Sequence, residues 1–228
     1  MNTGGEAVTS ENGLLTTVGF QLSGEPVQYA LEGSIFVTGA AIEFLEDIDL
    51  INNAAQTAEL ASSVDSTEGV YMVPAFTGLG APHWDGRARG TLVGMTRDTR
   101  KEHIVRATLE SIAYQTRDIA TAMEADSGVE TTTLRVDGGA VKNDFLCGLQ
   151  ADVIQTEIAR PEVDETTALG SAYAAGLAVD YWEDLDSLRS NWQIDETFEP
   201  EMDTTQADKM YSRWDDAVER SLDWAQEE

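Results

Sequence analysis

The residues of this 228-residue chain with the clearest chemical potential are Asp137, Gly138 and Gly139, with Asn143 four positions beyond the last glycine. A glycine has no β-carbon, so it reaches φ > 0 and lets a ligand lie directly on its backbone. Where a helix starts immediately afterwards, unsatisfied N–H groups and positive potential face the same ligand. Asn143 falls one turn into the helix expected here, with its amide placed for a purine or a ribose. Each feature also has a plainer reading: AspGlyGlyAla alone fits a tight turn, and Asn near a helix start often caps it. Gly39 and Glu43 form a second pair, one helical turn apart on a shared face, so that a gap left by glycine is bordered by a carboxylate. Close helix packing beside a surface acid explains that spacing equally well.

Other reactive residue types are sparse. His83 and His103 are too far apart in sequence to suggest a metal pair, and no Cys/His cluster exists. His103 is expected on the surface at a helix start, and Glu46 and Asp47 on a solvated face. Cys147 is the single cysteine, so it has no internal disulfide partner. Its place among Phe145, Leu146 and Leu149 marks it as a buried core thiol.

The elements around the glycine turn form a strand over 132–136, a helix over 142–153 and a strand over 154–159. This order recurs in nucleotide-binding α/β folds. Upstream, the pattern predicts a hairpin (13–22 and 27–33), a helix carrying Ile35, Phe36, Ala40, Ile42, Phe44 and Leu45, and a second helix whose cap is Asp49. A strand over 70–76 leads into the long loop TGLGAPHWDGRARG, in which His83 and Trp84 imply packing. A strand at TLVGM and the longest helix, over 104–123, follow. ETTALGSAYAAGLAVDYW reads as a helix of small residues that permits close approach. The last helix, over 205–225, turns Met210, Trp214, Val218 and Leu222 inward. The whole chain, 1–228, reads as a single α/β domain.

Asp and Glu number 42 against 14 Lys and Arg, a formal charge of −28. Such a surface repels phosphate backbones, which excludes a nucleic-acid partner. Only Lys101, Lys142 and Lys209 are lysines. That bias points to a salt-adapted, halophilic protein, because high salt screens the self-repulsion of so charged a fold. No apolar run approaches membrane-spanning length and MNTGGEAVTS lacks the features of a signal peptide, so the expected location is the cytoplasm, away from membranes.

The stretch VPAFTGLGAPHWDGRARGTLVGMTRDTRKEHIVRATLESIAYQTRDI closely resembles the FGGY carbohydrate kinases, and among them the glycerol kinases. GTLVGMTRDTRKEHIVRATLE, Gly90 to Glu110, fits the second signature of that family. LRVDGGAVKNDF and ETTALGSAYAAGLAV continue the resemblance downstream, and SENGLLTTVGF and YALEGSIFVTGAAIEFL continue it upstream. It implies a ribonuclease-H-like carboxyl-terminal lobe of the actin, hexokinase and heat-shock chaperone ATPase superfamily, incomplete at its first strand. ATP, with Mg2+ on its phosphates, is then expected in a cleft between two lobes, and glycerol mainly on the amino-terminal one.

Carried over by position, Gly139 and Asn143 are the implied adenosine contacts and Gly39 the contact from the opposite helix. Glu43 stands where the family commonly has Gln. The base that takes the glycerol proton, a Gly-Thr phosphate turn and a substrate-packing Phe are expected upstream, so no catalytic residue is assigned in this chain. It reads as a truncated or split product, inactive when isolated, of an enzyme that converts ATP and glycerol to ADP and glycerol 3-phosphate as a homo-oligomer. The alternatives are the lobe of another FGGY kinase acting on a pentulose or gluconate, and a non-catalytic fragment that binds nucleotide or an intact kinase.

Overall fold

The computed structural model describes residues 1–163 and 165–226. Its first unit is an antiparallel sheet of β1 (Asn2–Gly4), β2 (Leu15–Phe20) and β3 (Gln28–Glu32), in the order β1-β3-β2. The β-branched and aromatic residues of LTTVGF suit an extended pleat, and the turn between β2 and β3 closes with the Glu25 amide donating to the Leu22 carbonyl at 3.1 Å.

The expected helix beyond β3 begins later than its apolar pattern suggests. Residues 33–38 stay non-helical because tertiary contacts use them: the Ser34 carbonyl accepts from the Ala81 amide at 2.9 Å, and a β-carbon on Gly33 would lie 2.5 Å from Ile119. Helix α1 therefore spans Gly39–Asp47. Asp49 does not cap the next helix. It takes a left-handed φ of 59° while the Leu50 and Ile51 amides fold back onto the Leu45 carbonyl, so α2 is short, Gln56–Ser62.

Strands β4 (Tyr71–Val73) and β5 (Thr91–Val93) pair antiparallel, and the long loop between them is ordered as expected. Within it the Asp85 carboxylate accepts from the Arg87 and Ala88 amides, and the Trp84 indole donates to the Gly13 carbonyl. Helix α3, Lys101–Ser127, is longer than the periodicity indicated and ends at Gly128 with φ 67°. His103 is a correction: it is 5% exposed, and its Nδ1 accepts from the Arg100 amide at 3.1 Å, closing the start of α3. Arg106 inclines back over Phe145 at 5.4 Å from the ring centre, tying α3 to the next helix.

The strand, glycine turn, helix and strand predicted downstream are present as β6 (Thr133–Arg135), a 3-10 turn (Gly139–Lys142), α4 (Asp144–Ile154) and β7 (Glu157–Pro161), with β6 and β7 parallel. After α5 (Thr166–Ala178) and α6 (Leu185–Arg189), β8 (Ile194–Phe198) adds antiparallel to β7, giving the order β6-β7-β8. Helix α7, Thr204–Ser221, is capped by Asp203. It stops before residue 225 because the Asp223 and Ala225 amides donate to Asp85 and to the Arg87 carbonyl.

α3 packs against α1, α2, α4, β4 and α7, and the main core gathers around it from Leu45, Val73, Leu109, Val153 and Trp214. Tyr114 stacks between Tyr71 and Trp214, with ring centres at 5.9 and 5.3 Å. Burying each such side chain contributes roughly 1.5–3 kcal/mol. Cys147 is fully buried, as its apolar neighbours indicated, and burial pushes its thiol up to about 11.

Candidate nucleotide site

The turn begins where the ladder of β6 ends, with the Val136 amide donating to the Ala159 carbonyl at 3.1 Å. Gly138 has φ 87° and ψ −179°, a region essentially closed to residues with a β-carbon. A β-carbon built on Gly138 or on Gly139 meets no atom within 4 Å. The outer face of the turn is therefore bare backbone, open to a flat ligand.

What lies beneath the turn is firmly held. Val141 is buried with Cys147, Ala151 and Ile158. Its carbonyl accepts from Arg160 Nη1 at 2.9 Å and from the Cys147 thiol at 3.3 Å. The same guanidinium pairs with Asp144 (2.6 Å), Asp195 (2.9 Å) and Glu196 (2.7 Å) and lies over Phe198. Arg160 thus joins the end of the turn, the start of α4 and β8. Asp137, which opens the turn, accepts a hydrogen bond from the Thr166 hydroxyl in the first turn of α5.

Asn143 serves as the cap of α4. Its Oδ1 accepts from the Leu146 amide at 3.1 Å, and its Nδ2 donates to Thr57 Oγ1 at 3.0 Å. The expectation of a free amide one turn inside the helix is corrected: half of its capacity is spent, leaving one N–H and one lone pair on Oδ1. Gly39 is the first residue of α1 and Glu43 lies one turn further along; both are exposed, and a β-carbon on Gly39 would also meet open space. α1 and α4 both rest on α3.

Thr57, Arg160 and Thr166 were not singled out from the sequence. Threonine at a helix start carries no signal of its distant partner. Arg160 offered one, since a cation beside Pro161 in a strand of so acidic a chain must be drawing carboxylates together. Elsewhere, buried Asp118 accepts from Tyr211 (2.5 Å) and from the Trp214 indole (3.1 Å), with His83 at 3.8 Å, a cluster that fastens α7 to α3.

α5 has an unusual surface. TTALGSAYAAGLA is apolar around its circumference, yet only Gly176 is buried, against Trp182. Beyond it Val179 and Tyr181 are 74% and 75% exposed. An open groove of about 870 Å³ separates α5 and α6 from the tip of the β2–β3 hairpin. A helix apolar on all sides normally lies inside a protein.

The chain is 83% identical over 228 residues to glycerol kinase of Haloarcula marismortui, and 58% identical over 219 residues to glycerol kinase of Staphylococcus epidermidis. It spans 45% and 44% of the length of these relatives. The crystal structure of Plasmodium falciparum glycerol kinase with ADP superimposes with a TM-score of 0.91 at 39% identity, covering all of this chain and 45% of that one. Xylulose kinase of Lactobacillus acidophilus shares the fold, with a TM-score of 0.74 at 22% identity over 86% of this chain and 40% of that one. The profile of the FGGY family of carbohydrate kinases, C-terminal domain, matches residues 1–179, and the chain belongs to that family.

Proposed function

We propose that residues 1–228 form one domain, the adenosine-binding carboxyl-terminal lobe of a salt-adapted cytoplasmic glycerol kinase. The complete enzyme transfers the terminal phosphoryl group of ATP to glycerol, releasing ADP and glycerol 3-phosphate. The observation that carries this reading is the bare Gly138–Gly139 turn, set between a parallel strand and the capped start of α4. The nucleoside lies on Gly139, Asn143 offers its remaining donor and acceptor, and Gly39 and Glu43 border the nucleotide from α1. A carboxylate at Glu43 in place of an amide accepts hydrogen bonds without donating any, which favours contact with ribose hydroxyls over a base acceptor.

Mg2+ arrives on the nucleotide phosphates; among the described residues no group of three His, Cys, Asp or Glu is gathered to hold a metal. Phosphoryl transfer also requires in-line positioning and a residue to take the hydroxyl proton. Both belong to the preceding part of the polypeptide that the relatives carry, which also covers the apolar surface of α5 and binds most of the glycerol. The complete enzyme assembles from identical copies.

The test is glycerol 3-phosphate formation by the complete polypeptide and by this segment alone, in molar KCl, alongside ADP titration of both. Activity is expected only in the complete polypeptide. Failure of that polypeptide to phosphorylate glycerol, or to bind ADP, overturns the proposal.

A further inference from the structure

We infer that Thr57 is a positioning residue for the nucleotide, acting through the side-chain amide of Asn143. The inference rests on the nucleotide reading above. Thr57 is fully buried at the start of α2, far in sequence from the glycine turn. Its one hydroxyl proton is donated to the Ala54 carbonyl at 2.7 Å. The oxygen of Thr57 is then able only to accept, so the atom of Asn143 that faces it at 3.0 Å must be Nδ2. That leaves Oδ1 for the Leu146 amide, which donates to it at 3.1 Å. The amide turned over would set oxygen against oxygen at Thr57 and N–H against N–H at Leu146. Thr57 therefore fixes the sense of the amide as well as its place, and so decides which atoms of Asn143 remain for a ligand.

The support under Thr57 is itself anchored. At the far end of α2, Arg106 Nη1 donates to the carbonyls of Ala61 and Val64, while its Nε is paired with buried Glu110 at 3.0 Å. α2 is thus pinned to α3 at one end and to Asn143 near the other. A hydroxyl held on so fixed a helix adds little conformational freedom to the contact it orients, and preorganisation of this kind is worth affinity.

The experiment measures ADP dissociation constants by calorimetry for the complete polypeptide in molar KCl, with Thr57→Val, Thr57→Ala, Thr57→Ser, Asn143→Ala and the double variant Thr57→Val/Asn143→Ala. Both hydroxyl-free variants are expected to weaken ADP binding about threefold to tenfold, the effect of one hydrogen bond. Thr57→Ser, which keeps the hydroxyl, stays within about twofold of wild type. KM for glycerol is unchanged throughout. In the Asn143→Ala background, Thr57→Val has no further effect on ADP, which a merely structural role would not produce. Thr57→Ala serves in place of Thr57→Val should the latter fail to fold. Wild-type ADP affinity in the hydroxyl-free variants, or an equal further loss in the Asn143→Ala background, overturns the inference while leaving the nucleotide site standing. Wild-type affinity in Asn143→Ala overturns the site assignment and this inference together.

Discussion

Gly138 and Gly139 are adjacent and equally bare, yet alanine at each should act on a different property. At Gly138 the backbone sits at φ 87° and ψ −179°. An L-residue held there is strained by about 1–3 kcal/mol, and no packing gain offsets it because the new methyl meets nothing within 4 Å. For a chain of this size, each kcal/mol lowers the melting midpoint by about 2–4 °C, so Gly138→Ala should cost about 2–12 °C. Gly139 has no left-handed φ and the same open surroundings. Its alanine variant should stay within about 0.5 kcal/mol of wild type in stability.

The methyl on Gly139 would nevertheless stand on the face proposed to receive the nucleoside. Forcing one extra carbon into a packed contact costs about 1–3 kcal/mol, a loss of about 5-fold to 150-fold in ADP affinity. Thermal melts and ADP calorimetry on both variants of the complete polypeptide separate the two effects. Wild-type ADP affinity in Gly139→Ala would refute the placement of the nucleoside on the turn. An unshifted melting midpoint in Gly138→Ala would refute the strain argument.

Three further outcomes are expected. Arg160→Gln removes the donor to the Val141 carbonyl and leaves Asp144, Asp195 and Glu196 facing one another; these carboxylates are half-exposed, so a modest loss of about 1–2 kcal/mol should appear in urea unfolding and shrink in molar salt. The Cys147 thiol titrates near 9.0 unfolded and is pushed up to about 11 by burial. Its contribution to stability is therefore complete below pH 9 and lost as pH rises towards 11, where only the unfolded chain ionises readily, and Ellman's reagent at pH 8 should label it only as fast as the protein unfolds. With a formal charge of −28, the melting midpoint should climb between about 0.2 and 2 M KCl, and a flat profile would contradict the salt-adapted reading.

The glycine turn and its flanking strands were legible because they depend on nearest neighbours: a β-branched run, two glycines and an apolar helical period lie within one short stretch. Cys147 was legible for the same reason. The misread elements are those decided by distant partners. The apolar residues after Gly33 have helical spacing, but the Ala81 amide takes the Ser34 carbonyl and Ile119 packs against Gly33, so the helix cannot start there. β8 carries two adjacent acids in a five-residue strand and gives no alternating signal, since Arg160 supplies the reason for it to pair. His103 is a local exception: its Nδ1 accepts from the Arg100 amide only three residues away, and it is buried where a histidine at a helix start is ordinarily expected on the surface. Of the proposed site, Gly39, Glu43, Gly139 and Asn143 could be nominated from the family resemblance, but the Thr57 hydroxyl that orients Asn143 could not be read from the sequence.

The contact between Asp137 and Thr166 links two regions that would otherwise answer to different forces. α5 is little buried in this chain, while Asp137 leads directly into the turn proposed to seat the nucleoside. Any tilt of that helix must either break this bond or drag the seat with it. On the function proposed above, movement of α5 against a neighbouring lobe and release of the nucleotide would be mechanically geared, with a lone threonine hydroxyl as the tooth.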